Sequence, residues 1–508
     1  MINNRGLAKI GILNIILIIL VIVFAALAGI FAYNYYTITP PAAITVTIPK
    51  TIPYTIPYTV TQTQYITPTI TPTTPVTPLT TPPLITYPEI KIKIGLLFPL
   101  TGALAPLGTD QFYGTKIAID IVNDLFGGVL GRYKIEYVVA DAASDPTKAA
   151  SEAERLITVE KVNIIVGTYA SPLLLAASEV AERYKVVYYE VGAITDSATL
   201  RGFKYLLRNM PIGGDFGIVS CLFVHDVVAP MLGKKPEELR VAIIHEDGPY
   251  GTSVAKSNEE TCKKLGLNIV LKEAYSATTT DLSGLIIKLK AASPDVLLHT
   301  GYFSDVVLFF RQAQELGFKV KVIIGHGAGY GLPATYQALG KAFDYVFNID
   351  PPSPWLNVNA IKDPVMRQIR EEFIKRFNAT RGYLPGTHAY MGLHILPLLL
   401  DILPRAITKY GSISSDAIMA AAWETDIPEG GTEHGYGVKF ASPTNPQDTI
   451  LGQKYREKPQ LHIGQNIRAY PVVLQWIGGR VIVVYPDYLA LQKPIIPLPP
   501  GHPLAPSS

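Results

Sequence analysis

The sequence predicts an α/β protein with two doubly wound parallel-sheet units in series, preceded by one transmembrane helix and a Thr/Pro-rich linker. Three observations carry this. An uncharged apolar stretch fills residues Ile10–Ala32, and a segment dominated by Thr and Pro follows it. From Ile90 onward, short β-branched runs alternate with segments of helical period, and this alternation runs through twice.

The apolar stretch is long enough for a helix of roughly 30 Å, the thickness of a hydrocarbon core. Arg5 and Lys9 precede it, and no charge follows until Lys50. The positive-inside rule then puts residues 1–9 in the cytoplasm, makes 10–33 a transmembrane anchor, and puts the rest outside. The alternative is a cleaved secretory signal, with Ala26-Leu27-Ala28 as its small-residue site. Both readings place the bulk of the chain outside the cytoplasm, as a single-pass cell-membrane protein in the first case. Residues 34–89 form a stalk, typified by TPTITPTTPVTPLTTPP. Such a segment has no core to bury, and its prolines favour extended polyproline II at roughly 3.1 Å per residue. Dense Thr beside Pro also matches an O-glycosylated stalk.

The folded elements follow in order. IKIGLLF is a buried strand and FYGTKIAIDIVN an amphipathic helix. IEYVVA is the next strand, and Pro146–Val159 the next helix, with Asp145 as N-cap and proline in the first turn. NIIVG, a helix over 172–184 and the strand VVYYE complete the first series. A helix near 215–231 opens the second series, followed by the strand RVAIIH and a helix from Tyr250. NIVLKEA, the helix LSGLIIKLKAA, DVLLHT, a helix over 304–316 and VKVIIG continue it. Helices over 364–377, 387–405 and 414–422 come next. A hairpin, YPVVLQW and RVIVVYP turning at Gly478-Gly479, closes the pattern. Residues 491–508 form a Pro-rich tail, expected to be disordered.

Composition narrows the function. The chain is 48% apolar and 17% charged, with a net charge of only +3 and no basic run, which argues against a nucleic-acid partner. Two Cys exclude a disulfide scaffold and a four-Cys zinc site. The nine His show no HExxH and no Cys/His cluster, so no metal and no cofactor is expected. No nucleophile elbow, P-loop or dinucleotide fingerprint occurs, so no catalytic residue is assigned and an enzyme is disfavoured. The Gly-rich run GHGAGYG follows a strand but lacks phosphate-loop spacing. Cys221 and Cys262 fall on two helices of the second series. An exported compartment permits a disulfide between them, and two buried thiols are the alternative.

The strongest local signal is the run Gly167 to Pro172, which includes Tyr169. A strand ends, a short loop follows, and Ser171 stands at the N-cap with Pro172 in the first helical turn. Free amides and the helix dipole there make a carboxylate site beyond the strand end. The alternative is that Ser171 only caps its own helix.

Stretches spread over residues 90–488 resemble one family: the type 1 periplasmic binding proteins, in the branched-chain amino acid subfamily of ABC-transporter receptors. They include IGLLFPLTGALAPLG, GTYASPLLLAASEVAERY, GAITDSATLRGFKYLLR, VAIIHEDGPYG, LFFRQAQELGFK and VVLQWIGGRVIVVYP. The resemblance implies two lobes joined by a three-strand hinge that close on a ligand. Residues 90–212 and 349–470 would form lobe 1, and 213–348 and 471–490 lobe 2. It implies a solute-binding protein that captures a small molecule, a branched-chain or related amino acid, and hands it to ABC permease subunits. A ligand-sensing receptor of the same fold is the alternative.

The same resemblance assigns the ligand's α-carboxylate to Ser171, lobe closure to Tyr302 and the cleft wall to Tyr250. Tyr169 and Ala193 belong to the matching loops. In GAITDSAT the family often has Thr where Ile194 stands, and the adjacent Thr195 is the substitute. Gly327 stands where the amino acid binders carry the Glu that pairs with the ligand ammonium. Either Glu246 or Asp247 then takes that role, or the ligand is a small carboxylic acid or amide without an ammonium group. Leu107 replaces an aromatic found in some members and reshapes the side-chain pocket.

Overall fold

The computed structural model describes residues 89–506; the expected anchor and the stalk up to residue 88 lie outside the described residues. Two sheets organise the described residues. β1 (Ile92–Phe98), β2 (Ile135–Asp141), β3 (Ile164–Gly167), β4 (Val187–Glu190) and β5 (Leu206–Arg208) form the first, in the order β2-β1-β3-β4-β5, all parallel. Runs such as IKIGLLF are apolar throughout because helices cover both faces of a parallel sheet. The first of these helices are α1 (Ala105–Leu125), α2 (Pro146–Thr158) and α3 (Ser171–Tyr184). Asp145 caps α2 as expected, its carboxylate accepting from the Lys148 amide at 2.8 Å.

The second sheet starts after the helix α4 (Gly213–Met231). It contains β6 (Arg240–Glu246), β7 (Asn268–Tyr275), β8 (Val296–Thr300), β9 (Val322–His326), β10 (Phe347–Asp350), β11 (Val472–Ile477) and β12 (Arg480–Tyr485). Their order is β12-β11-β10-β9-β8-β6-β7, parallel except where β11 pairs with β10 and β12. Helices α5 (Pro249–Lys264), α6 (Ser283–Ala292), α7 (Phe303–Glu315) and α8 (Pro333–Leu339) connect its parallel strands. Helices α9 (Pro364–Arg381), α10 (Thr387–Tyr410) and α11 (Ser415–Trp423) then return toward the first sheet. The short helix α12 (Ile450–Tyr455) precedes the hairpin.

The chain thus crosses between the sheets three times: from β5 to α4, from β10 to α9, and before β11. α4 and α10 are apolar enough to span a membrane by composition, but 67% and 72% of their apolar windows are buried, so both are core helices of this fold. α10 crosses α1 at near backbone contact. A Cβ on Gly114 would meet the Ala389 carbonyl oxygen at 1.9 Å, so only glycine permits the crossing. α4 also packs closely on α5, where a Cβ on Gly217 would meet Ser257 Cβ at 2.6 Å, and Cys221 and Cys262 join these two helices in a disulfide.

Three features depart from the sequence reading. β5 and β10 lack an apolar run of strand length and are strands only through pairing with β4, β9 and β11. The chain stays with the second sheet beyond residue 348: Ser353 Oγ donates to the Val481 carbonyl, and the Asn357 amide to that of Leu489. The Pro-rich tail is ordered through residue 506. Leu498 and Leu504 are buried, the Leu498 amide donates to the Lys321 carbonyl, and the Leu504 carbonyl accepts from the Val320 amide. Its prolines restrict the unfolded chain and so reduce the entropy lost on docking.

Candidate ligand site between the two sheets

A cavity lies between the sheets. Elements of both sheets line it. From the first come Tyr169, Ser171, Gly192 and Ile194; from the second come Phe216, Tyr250, Tyr302, Gly327 and Asp350.

The first wall consists of two strand-end loops held by one buried carboxylate. Glu190, the last residue of β4, accepts from the Thr168 amide with Oε2 at 2.7 Å. Its Oε1 accepts from the amides of Val191, Gly192 and Ala193, at 3.1, 2.7 and 2.8 Å. Burial pushes the Glu190 carboxyl up to about 7, against the pull of these amides and of Arg208. Arg208 is itself buried, and burial brings it down to about 10. It donates to the carbonyls of Ala193 and Thr195 at 3.3 and 2.7 Å, so it fixes the second loop from behind.

Helix α3 begins on this wall. Ser171 is its first residue and Ala170 its N-cap, so Ser171 does not cap the helix as the sequence pattern predicts. Its hydroxyl oxygen accepts instead from the Thr195 amide at 3.2 Å, which leaves its own proton to donate. The first-turn amides of α3 have no intrahelical acceptor, and the helix dipole puts its positive end at the cavity.

The second wall is aromatic. Tyr250 enters from the first turn of α5, and its hydroxyl donates to the His326 carbonyl. Tyr302 immediately precedes α7, and its amide donates to Asp305 at 3.2 Å. The two rings meet at a centroid distance of 5.1 Å. Burial raises both phenols well above their ordinary range, so they are neutral hydrogen-bonding groups. The walls touch outside the cavity, where Thr195 Oγ1 lies 3.3 Å from Ser253 Oγ of α5.

The cavity therefore brings together Tyr169, Ser171, Tyr250, Tyr302 and Gly327. It does not include Ala193, Thr195 or Asp247. Ala193 is turned to Glu190 and Arg208, and the Thr195 hydroxyl bonds Ser197 and Ser253. Asp247 is exposed to solvent at the end of β6. Glu246 is buried, but its carboxylate accepts from the amides of Gly248 and Gly251 and is occupied in capping α5. Neither carboxylate expected to replace the missing Glu lines the cavity. The sequence reading missed Asp350, whose side chain does. Its only trace in the sequence is an acid ending the short run FNID before Pro351-Pro352.

Two parallel-sheet lobes, three crossings and a cavity lined by both lobes define the fold of the type 1 periplasmic binding proteins. The chain belongs to that family: the family model for periplasmic binding protein matches residues 91–446. It is 36% identical over 407 residues to Leu/Ile/Val-binding protein homolog 7 of Brucella suis biovar 1, covering 80% of this chain and 94% of that relative. In fold it is similar to the branched-chain amino acid transporter substrate-binding protein LivJ of Streptococcus pneumoniae, solved with isoleucine, at a TM-score of 0.61 and 22% identity. That match covers 78% of this chain and all of LivJ. It is also similar to an ABC-transporter solute-binding protein of R. palustris solved with benzoate, at a TM-score of 0.59 and 18% identity, covering 81% and 98% of the two chains.

Proposed function

We propose that this protein is the extracytoplasmic solute-binding component of an ABC importer, held at the cell membrane by residues 10–33, and that it does not act as an enzyme. It captures a small polar ligand, a branched-chain or related amino acid, by closing two lobes on it, and delivers the ligand to permease subunits. The observation that carries this reading is the cavity itself. The positive end of α3 with the Ser171 hydroxyl meets the ligand carboxylate from one lobe, and Tyr250 and Tyr302 close from the other. A ligand touching both lobes favours the closed state. Tyr169 lines the same side as Ser171, and Ala193 and Thr195 support it from behind. The lobes are taken as 90–212 with 349–470, and 213–348 with 471–490; the contacts of 353–357 and of the tail extend the second. The Brucella relative's name as a Leu/Ile/Val-binding protein homolog supports the ligand class.

Gly327 in place of the family's Glu, together with the benzoate-bound neighbour, favours one second reading: a small carboxylic acid without an ammonium group. Titration calorimetry on the purified full-length protein separates the two. Leucine, isoleucine and valine are compared with their 2-oxo analogues and with benzoate. Binding of the amino acids with little binding of the others is the expected result. Tight binding of the oxo acids or benzoate alone selects the second reading.

A further inference from the structure

We infer that Asp350 is the ligand's cation partner, so that this site reads an α-amino acid zwitterion with its negative pole at the end of strand β10 and not at position 327. The inference rests on the amino-acid reading proposed above and adds the residue that sets its charge selectivity. Among the described residues lining the cavity, Asp350 is the sole acid, and none is Lys, Arg or His. The first wall offers a helix N-terminus and a hydroxyl, which attract a negative group. The opposite side offers a carboxylate. A cavity with these two poles complements a carboxylate and an ammonium on one small molecule, and it repels a ligand carrying negative charge alone at the Asp350 end.

The geometry explains how Asp350 replaces the missing Glu. Gly327 sits in β9's terminal loop, and β10 runs beside β9 in parallel register, with Ile349 opposite His326. Asp350 is the next residue, so its side chain reaches the space a residue-327 side chain would fill. A Cβ built on Gly327 would lie 3.3 Å from Asp350 Oδ1. The two oxygens of Asp350 face different neighbours. Oδ2 accepts from Asn348 Nδ2 at 3.0 Å and lies 3.5 Å from His388 Nε2, while Oδ1 is the oxygen nearest Gly327. Burial raises the Asp350 carboxyl above its ordinary range, against the pull of His388 and Asn348, so a full positive charge beside it would be stabilising. A ligand ammonium at Oδ1 supplies that charge.

The test compares leucine with 4-methyl-2-oxopentanoate, its 2-oxo analogue, on the full-length protein and on Asp350→Asn. The variant should bind leucine roughly 10- to 100-fold more weakly and the oxo acid as well as before or better. Leucine binding unchanged in Asp350→Asn overturns the inference and leaves the amino-acid reading standing. Wild-type protein that binds the oxo acid and not leucine, or neither, removes the amino-acid reading and the inference with it. Should Asp350→Asn fail to fold, a crystal structure of the wild-type leucine complex decides. The ligand nitrogen within hydrogen-bond distance of Asp350 Oδ1 supports the assignment; a nitrogen paired elsewhere refutes it.

Discussion

The two walls of the cleft are built on different principles. The first wall presents backbone: strand β3 ends, a loop turns, and α3 offers its free amides with Ser171 in its first turn. Glu190 and Arg208, both buried, hold the loops around it and contribute no side chain to the cavity lining. The second wall presents side chains, with two tyrosines from helix starts and a carboxylate from β10. Local sequence specifies the first wall, because a strand, a short loop and a Pro in the first helical turn are contiguous. The second wall draws on residues up to a hundred positions apart, Tyr250 to Asp350, and only the pairing of β9 with β10 brings its charge to the cavity.

The largest expected effect comes from forcing the family's residue into the second wall. Gly327 has φ +59°, a conformation that L side chains rarely adopt, and its β-position lies 3.3 Å from Asp350 Oδ1 and 3.4 Å from Phe216 Cε1. Gly327→Glu adds strain and places a second carboxylate beside the first. Leucine affinity should fall by at least ~100-fold and stability by about 1–3 kcal/mol, read by calorimetry and thermal unfolding. A variant that binds as tightly as the wild type would put the nitrogen end back at position 327. The contrast between the walls would then break.

A smaller effect is expected at the first wall. Ser171→Ala removes one hydroxyl donor to a charged group and leaves the buried Thr195 amide without its partner at 3.2 Å. The α3 amides and the dipole remain. Leucine should bind about 1.5–3 kcal/mol more weakly, with little change in fold. Equal losses for leucine and its 2-oxo analogue would sharpen the comparison, since both carry the carboxylate that this wall is proposed to hold. Loss of leucine alone would contradict it.

These outcomes turn on how much of the site was legible beforehand. The alternation of strands and helices was readable because apolar periodicity is local, and the positions of Ser171, Tyr250 and Tyr302 came with the motifs around them. β5 and β10 were not readable. Each has three or four residues, and their pairing comes from neighbours in the sheet and not from their own pattern. Asp350 was hidden for the same reason. The Pro-rich tail was misread because composition reports what a segment does alone, whereas Leu498 and Leu504 are buried in the fold. Glu246 was misread in the opposite sense: it is acidic and beside Tyr250, but the glycines after it turn its carboxylate into a helix cap.

Glu246 offers the smallest and most discriminating test. Glu246 and Asp350 are both buried acids close to the tyrosines of the second wall, and burial raises both carboxyls. They differ in what their oxygens already do. Glu246 Oε2 accepts from the Gly248 amide at 2.7 Å and Oε1 from that of Gly251, so both are committed to the start of α5. Gln at 246 keeps one acceptor and sets an amide N–H₂ against the other backbone N–H. Stability should therefore fall by about 1–2 kcal/mol in thermal unfolding. Leucine affinity should move by less than about threefold, since the lost group does not touch the cavity. A tenfold or greater loss of leucine binding in Glu246→Gln, with the fold intact, would make Glu246 the charge of the second wall and transfer to it the role assigned to Asp350.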